Sequence, residues 1–326
     1  MPPSKRHGFG SAPGKMILFG EHAVVYGVPA IAIAIDRHSY CHILPNPKQE
    51  IEFHFLNHQL RLHYSSLNEM QEQIDPRYAQ FCIGLKIFLE KFNFTDSVLN
   101  FEISTSLWPN SGLGSSASLS VAFITALGNY FEVALSKNEI CNLAFEMEKI
   151  THGKPSGIDN TICTFGGTIC DSKNAWENVK LVPNLALLVI NSGEFHRTKD
   201  AVAQIASIKT NDREKVNDIF GDIANIVNSA KRALEFGDLP NLVELVEKNQ
   251  LLLNDLQLCT PKMNKILKIA HSHGIKGIKM TGAGMGGVLF AVDTIENLKK
   301  LNLSLQKMGI ETFFAAMDEI GALAGI

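Results

Sequence analysis

Between a predicted strand and a predicted helix, the chain reads Pro109-Asn110-Ser111-Gly112-Leu113-Gly114-Ser115-Ser116-Ala117-Ser118. The glycines allow a tight turn that brings backbone N–H groups close to a ligand. The start of the helix adds a partial positive charge, so a polyphosphate fits at this point. The serine hydroxyls can cap the helix or bind a magnesium ion. The alternative interpretation is a capped helix after a turn, with no ligand.

The first half of the chain is predicted to be rich in strands before this stretch and helical after it. Strands are read from apolar runs and helices from apolar residues at helical spacing. The predicted elements are strands at Ala30 to Ile35, Ile51 to Phe55 and Leu60 to Tyr64, a helix at Arg77 to Phe92, a strand at Leu99 to Ile103, and helices at Ser115 to Tyr130 and Lys137 to Thr151. The second and third of these strands are predicted to form a hairpin around Asn57 and His58.

The second half repeats the mixture of strands and long amphipathic helices. The predicted elements are a strand at Leu185 to Ile190, helices at Arg213 to Phe236, Leu239 to Asn254 and Lys262 to Ser272, strands at Ile275 to Met280, Gly286 to Val292 and Glu311 to Ala316, and a helix at Ile295 to Met308. This is an α+β arrangement in both halves. The polar stretch from Asp171 to Lys180 is interpreted as a surface connection, which divides the chain into residues 1–180 and 181–326.

The composition is that of a globular protein without an obvious charged partner. Of 326 residues, 45 % are hydrophobic, and 33 acidic residues nearly balance 30 basic ones. This balance predicts neither a nucleic-acid partner nor binding to an anionic membrane surface. The sequence leaves a homodimer open.

The sequence also predicts where the protein works. The most apolar stretch, Met16 to Ile35, is interrupted by Glu21 and His22 and is not expected to span a membrane. Met1 to Gly10 lacks the apolar core of a secretory signal. The 6 cysteines show no CxxC spacing and are interpreted as free thiols of a reducing compartment, which predicts a cytoplasmic location.

A second glycine-containing segment runs from Ala12 to Gly27 and reads APGKMILFGEHAVVYG. It is not a P-loop, because Phe9 occupies the place of the first glycine and Met16 that of the required Ser or Thr. Lys15, Glu21 and His22 stand in an otherwise apolar segment. Such groups are buried only when they bind a ligand or each other, and the segment alone does not decide between a salt bridge and a site.

A third segment, Lys279 to Gly287, reads KMTGAGMGG and lies between two predicted strands. Glycines at this density allow the backbone to approach a ligand or a neighbouring element closely. A tight turn without a ligand is the alternative interpretation.

Two carboxylates, Glu148 and Asp159, flank a turn that contains Pro155, Ser156 and Gly157. Glu148 falls in the last turn of a predicted helix, where the helix dipole disfavours an anion. A functional role would explain that placement. Asp159 begins another helical stretch, where it is either a functional carboxylate or the N-terminal cap of the helix.

Together these segments resemble the GHMP kinases, a family of ATP-dependent small-molecule kinases. Three motifs of the family occur in its order and are spread over nearly the whole chain. The resemblance implies an α+β N-terminal domain with a left-handed βαβ unit, a ferredoxin-like C-terminal domain, and a site between them. Met285, at a position that is often glycine, and Trp108, where the family usually has an aliphatic residue, depart from the pattern. Neither departure removes a charged or ligating group.

The resemblance further implies which residues bind the nucleotide and its metal ion. ATP would be bound by Pro109, Asn110, Ser111, Gly112, Leu113, Gly114, Ser115, Ser116, Gly282, Ala283 and Gly284. Ser116 and Glu148 would hold Mg²⁺, the expected cofactor.

The acceptor side follows from the same resemblance. Because Ala23 and Val24 follow Glu21-His22 and the later segment reads HGKPSGIDN, the chain resembles those members that phosphorylate mevalonate. Asp159 would then accept the proton of the substrate hydroxyl, and Lys15 beside it would favour the charged carboxylate. The substrate-binding residues implied are Glu21, His22 and Thr198.

Two other functions are compatible with the family. A member acting on phosphomevalonate would be expected to carry more basic groups in the acceptor pocket. A member that binds ligands without turnover would be expected to lose at least one of Lys15, Ser116, Glu148 and Asp159, and all four are present. The sequence therefore favours an active kinase with mevalonate and ATP as its substrates.

Overall fold

The computed structural model describes residues 7–46, 48, 50–95, 98–153, 155–172, 175–181, 185–195 and 198–325. In chain order, the first half contains β1 (Gly8–Phe19), β2 (Ala30–Pro45), β3 (Ile51–Phe55), β4 (Leu60–Tyr64), α1 (Leu67–Glu72), α2 (Ala79–Phe92), β5 (Leu99–Thr105), α3 (Ser115–Tyr130), α4 (Lys137–His152), α5 (Ile158–Phe165), β6 (Thr168–Ser172) and β7 (Ala175–Asn178). The second half contains β8 (Leu187–Asn191), α6 (Thr198–Asn211), α7 (Arg213–Phe236), α8 (Leu239–Asp255), α9 (Pro261–Ser272), β9 (Ile278–Met280), β10 (Val288–Val292), α10 (Ile295–Lys307), β11 (Thr312–Ala315) and β12 (Leu323–Ala324).

The strands form one large and one small sheet. The large sheet has the order β12-β1-β2-β5-β3-β4, with β6 paired to β2 and β7 paired to β6. Its pairs are antiparallel except for β3 and β5, which run parallel. The small sheet has the order β11-β8-β10-β9 and is antiparallel throughout. Each sheet packs against helices, which confirms the predicted α+β class.

The two sheets share one hydrophobic core. Met16 and Leu18 of β1 belong to the same buried cluster as Val189 of β8 and Phe290 of β10. A second cluster under the large sheet contains stacked phenylalanines, with Phe53 and Phe101 ring centroids 4.7 Å apart. Because β1 contributes to both clusters, it lies where the two halves of the molecule meet.

Most predicted elements are confirmed, with small shifts at their ends. The largest difference is in β2, which continues to Pro45 instead of ending at Ile35. The hairpin of β3 and β4 pairs Ile51 with Tyr64, and α3 and α7 have the predicted bounds. The interpretation of Asp171 to Lys180 as a surface connection is wrong about its structure, because much of it lies in the paired strands β6 and β7, but right about the surface position of β7. The stretch is polar because it contains β7, an edge strand whose residues are all exposed.

The division at residue 180 stays a prediction. In the structure, the last strand of the large sheet before this point is β7, and the first strand of the small sheet is β8. The chain nevertheless returns to the large sheet at its end, where Leu323 and Ala324 pair with Ser11 and Gly10. Within the described ranges, no helix is long and apolar enough to cross a bilayer.

Glycines in β1 allow α3 to lie directly on the strand, and this contact yields a stability prediction. A Cβ on Gly10 would lie 2.2 Å from the Ala122 carbonyl oxygen, so Gly10→Ala forces backbone apart. We expect this change to lower the free energy of unfolding by about 1–3 kcal/mol. Gly221→Ala is the matched control, since Gly221 is exposed inside α7. Apart from its chain neighbours and the adjoining backbone of α7, no atom of the described residues lies within 4 Å of the place that its new methyl group would take.

The control should raise the free energy of unfolding by about 0.5–1 kcal/mol, because alanine restricts the unfolded chain and favours the helix. Denaturant unfolding of the two variants beside the unchanged protein measures both effects. A Gly10→Ala protein as stable as its parent would contradict the close packing of α3 on β1.

Candidate active site

A lysine and an aspartate from distant parts of the chain form an ion pair beside the start of α3. Lys15 lies in β1 and Asp159 in the first turn of α5, with Lys15 Nζ 3.1 Å from Asp159 Oδ1. The Lys15 side chain is 5 % exposed, whereas that of Asp159 is 40 % exposed. A ligand can therefore reach the carboxylate while the cation stays behind it.

Asp159 is not the cap of its helix. The residue at the cap position of α5 is Gly157, with φ 86°, and Asp159 is the second helical residue. The interpretation of Asp159 as an N-terminal cap is therefore wrong. Its position in the first turn still places the carboxylate where the helix dipole favours negative charge.

The glycine stretch ahead of α3 wraps closely around Lys15. Gly114 occupies the cap position with φ 74°, and a Cβ there would lie 2.6 Å from Lys15 Cγ. The backbone N–H of Lys15 donates to the Leu113 carbonyl at 2.9 Å. Only glycine combines this positive φ with such a close approach.

The end of α3 that faces this loop is open to a ligand. Among the described residues, no side chain caps this end of α3, so the interpretation as an ordinary capped helix is not what the structure shows. Ser111 is turned inward and donates to the Trp108 carbonyl at 2.7 Å. The first N–H groups of an uncapped helix are a suitable place for phosphate oxygens.

Glu148 forms a small cluster with hydroxyl groups of α3. Ser116 Oγ donates to Glu148 Oε1 at 2.7 Å, and Ser120 Oγ donates to the same oxygen at 3.2 Å. His152 Nε2 lies 3.4 Å from the other oxygen, Oε2. Burial raises the pKa of Glu148, and the hydrogen bond from Ser116 and the nearby His152 oppose that rise.

This cluster has the chemistry of a partial site for a hard cation. The described side chains include no group of three or more His, Cys, Asp or Glu placed to hold a metal ion. Magnesium differs from many metals in this respect, because it is usually bound by one or two carboxylates together with substrate phosphates and water. The hydroxyl of Ser116 and the carboxylate of Glu148, next to an open helix end, fit that pattern.

A second ion pair, between Glu21 and Lys279, is completely buried. Both side chains are 0 % exposed, and Lys279 Nζ donates to Glu21 Oε1 and, at 2.9 Å, to the Met280 carbonyl. Burial raises the pKa of Glu21 and lowers that of Lys279, while the attraction between the two charges opposes both shifts. The pair joins the loop after β1 to strand β9.

Lys279 is the residue of this area that sequence reasoning missed. The available signal was a lysine in the middle of the apolar strand Ile278–Met280, because buried charges require partners. The partner lies 258 positions away, so local patterns could not identify it. The carboxylate of Glu21 has no exposed surface, and its predicted contact with substrate stays a prediction.

The third glycine segment is fixed against the end of β1. Thr281 Oγ1 accepts from the Ile17 N–H at 3.0 Å and donates to the Ile17 carbonyl at 2.8 Å. His22, at φ 61°, places Nε2 2.7 Å from the Ala283 carbonyl. Burial lowers the pKa of His22, so its imidazole is neutral near pH 7 and the Nε2–H donates.

Within that segment, two glycines are explained by protein packing alone. A Cβ on Gly284 would lie 2.8 Å from the Leu258 carbonyl oxygen, and one on Gly286 would lie 2.4 Å from that of Phe195. Met285 adopts φ 52° and donates its N–H to the same Leu258 carbonyl at 2.8 Å. The approach of residues 282–284 to a nucleotide stays a prediction.

The position of Thr198 in the structure does not show whether it contacts the substrate. It begins α6 and is exposed, three positions after Phe195, which packs on the third glycine segment. His196 and Arg197 between them lie outside the described residues. The role of Thr198 therefore stays a prediction. Of the other predicted residues, Lys15, Asp159, Ser116 and Glu148 lie together around the start of α3.

Comparison with known proteins supports the predicted family. Sequence models of the GHMP kinase N-terminal and C-terminal domains match residues 80–167 and 229–311. The mevalonate kinase of Thermococcus onnurineus is 31 % identical over 295 residues, which cover 86 % of this chain and 88 % of that relative.

Solved structures give the same result. The Methanococcus jannaschii mevalonate kinase is 30 % identical, with a TM-score of 0.85 over 97 % of this chain and 100 % of that one. An L. major mevalonate kinase in complex with R-mevalonate is 25 % identical, with a TM-score of 0.81 over 98 % of this chain and 99 % of that one.

The buried pair predicts a pH-dependent loss of stability when its cation is removed. Lys279→Met leaves the Glu21 carboxylate buried without a partner, which typically costs about 3–5 kcal/mol of unfolding free energy. The folded protein then keeps a proton on Glu21 at pH values where the unfolded chain has lost it. The loss of stability in Lys279→Met should consequently be smaller at pH 5 than at pH 8.

The double variant Glu21→Gln/Lys279→Met provides the control, because it carries neither charge. It should recover much of the lost stability, and its difference from the unchanged protein should depend less on pH. Urea unfolding at the two pH values measures these effects. Equal destabilisation of the single and double variants at both pH values would contradict the pairing.

Proposed function

This chain belongs to the GHMP kinase family, and on that premise we propose that it transfers the γ-phosphoryl group of ATP to the 5-hydroxyl of mevalonate. The products are 5-phosphomevalonate and ADP. The observation that carries the proposal is the Lys15–Asp159 ion pair beside the uncapped start of α3. The L. major relative solved with R-mevalonate supports mevalonate as the acceptor.

Asp159 is the proposed catalytic carboxylate. Its exposed position lets it accept a hydrogen bond from the 5-hydroxyl and take the proton as that oxygen attacks the γ-phosphorus. Lys15 keeps this carboxylate oriented from behind and also offsets negative charge that develops on the phosphoryl group. Phosphoryl transfer depends mainly on such positioning and charge neutralisation, so these two roles are sufficient for a catalytic centre.

The nucleotide is proposed to lie along the start of α3. Residues 109–116 surround its phosphates, and the free N–H groups of the helix donate to phosphate oxygens. Ser116 and Glu148 are the residues that would hold a magnesium ion next to them. A magnesium ion held there would offset negative charge on the phosphates.

The remaining predicted residues are assigned to the other walls of the site. Gly282, Ala283 and Gly284 are proposed to approach the nucleotide, since Thr281 holds this segment on β1. His22 and Thr198 are proposed to face the acceptor. Glu21 is proposed to act on the acceptor side through the loop that it anchors, because its own carboxylate is bound to Lys279.

We also propose that the protein works in the cytoplasm. All 6 cysteines are free thiols, and Cys41, Cys82, Cys163 and Cys170 are buried. Burial raises the pKa of the Cys82 thiol to about 11, which keeps it protonated and unreactive near neutral pH. Free buried thiols are typical of proteins in reducing compartments.

The choice of acceptor is tested by measuring ADP release in a coupled assay. With ATP and Mg²⁺, kcat/KM for mevalonate should exceed that for 5-phosphomevalonate, galactose or homoserine by at least about tenfold, because a site built for one acceptor leaves polar groups unpaired with others. Equal or better turnover with any of the other three acceptors would overturn the assignment.

The role of Asp159 is tested by Asp159→Asn, which keeps the size of the side chain but removes the base. We expect kcat to fall on the order of 10²-fold or more, while the binding of ATP persists because the start of α3 is unchanged. Asp218→Asn, an exposed change on α7, should leave kcat unaltered and serves as the matched control.

Thermal unfolding and ATP titration of both variants separate a catalytic defect from a folding defect. A folded Asp159→Asn protein that binds ATP and turns over at nearly the normal rate would rule out the base role.

A further inference from the structure

A buried glutamine that belongs to none of the glycine-containing segments lies next to the proposed metal ligands. Gln80 is the second residue of α2 and is 8 % exposed. Its Oε1 accepts from Ser116 Oγ at 3.3 Å and also from Thr151 Oγ1. The amide thus connects the starts of α2 and α3 with the end of α4.

The hydroxyl of Ser116 has two acceptors within reach but only one proton. Glu148 Oε1 lies at 2.7 Å and Gln80 Oε1 at 3.3 Å from Ser116 Oγ. The shorter distance places the proton between Ser116 and Glu148 in this structure. A hydroxyl proton in that position points into the space that a cation shared by Ser116 and Glu148 requires.

A cation that binds both oxygens must therefore change the direction of this proton. Such a cation would be bound by a lone pair of the hydroxyl oxygen and by the negatively charged carboxylate. The O–H bond would then have to point away from the cation. Gln80 Oε1 is already within hydrogen-bond distance, carries no charge, and is held in place by Thr151. The hydroxyl can rotate onto it without leaving a buried donor unpaired, which would be costly.

We propose that Gln80 is a positioning residue for the metal–nucleotide complex. When the cation binds, Gln80 Oε1 accepts a hydrogen bond from the Ser116 hydroxyl, so that Ser116 and Glu148 both direct lone pairs at the cation. This inference rests on the proposed function only in its assignment of Ser116 and Glu148 to the metal ion. Gln80 does not touch the substrate or the reacting atoms.

The residue type suits this task. A carboxylate at position 80 would add a second negative charge close to Glu148, since Ser116 Oγ lies within hydrogen-bond distance of both side chains. An apolar side chain would give Ser116 no acceptor other than Glu148. An amide oxygen supplies a neutral acceptor, and the donation from Thr151 keeps that oxygen directed toward Ser116.

The test compares the binding of ATP in the presence of Mg²⁺ with its binding in excess EDTA, by calorimetry and without an acceptor. Gln80→Leu should weaken ATP binding with Mg²⁺ by about 10-fold or more, as is typical for partners of metal ligands. Binding in EDTA should stay within about twofold of the unchanged protein, because the phosphate contacts are untouched. Gln71→Leu, an exposed change on α1, should alter neither value.

Two further variants keep the inference testable if Gln80→Leu folds poorly. Gln80→Glu retains an acceptor oxygen, so its binding of ATP with Mg²⁺ should be weakened less than that of Gln80→Leu. Thr151→Val removes the hydroxyl that holds the amide, at an exposed position, and should weaken binding with Mg²⁺ in the same direction by a smaller factor.

Three outcomes would overturn the inference. Equal weakening with Mg²⁺ and in EDTA would show that Gln80 supports the fold or the nucleotide rather than the cation. Unchanged binding of Gln80→Leu would remove it from the site, provided that Glu148→Gln loses its Mg²⁺ dependence. If Glu148→Gln also keeps that dependence, the assignment of Ser116 and Glu148 to the metal ion fails as well.

Discussion

The arrangement of the site depends on the contact between the end of β1 and the segment from β9 to β10. The buried Glu21–Lys279 ion pair and the two hydrogen bonds between Thr281 and Ile17 fix this contact. Neither buried charge is stable without the other, so the two sheets cannot separate here without exposing or unpairing them. This requirement holds the third glycine segment close to the strand that carries Lys15.

Near this contact, the site contains two polar features that the protein itself satisfies only in part: a buried carboxylate and an uncapped helix start. Glu148 is buried near the end of α4, and burial raises its pKa although Ser116 and Ser120 donate to it. The start of α3 lacks a side-chain cap among the described residues. In the function proposed here, a cation would satisfy the first group and phosphate oxygens would satisfy the second.

Sequence patterns were sufficient where the structure is determined locally. The period of apolar residues predicted α3 and α7, and the glycine stretch predicted a helix start at which a polyphosphate fits. Pairing between distant segments was not predictable, because a single sequence carries no local sign of it. Three such long-range contacts are the pairing of Lys279 with Glu21, the hydrogen bonds of Gln80, and the pairing of β12 with β1 in the large sheet.

The central claim is that Asp159 receives the acceptor hydroxyl in front of phosphates bound at the start of α3. A crystal structure of the protein with Mg²⁺, a non-hydrolysable ATP analogue and mevalonate tests it most directly. The account predicts the 5-oxygen of mevalonate within about 3 Å of the Asp159 carboxylate and the γ-phosphate against the N–H groups of α3. A 5-hydroxyl directed away from Asp159, with the phosphates bound elsewhere, would contradict it.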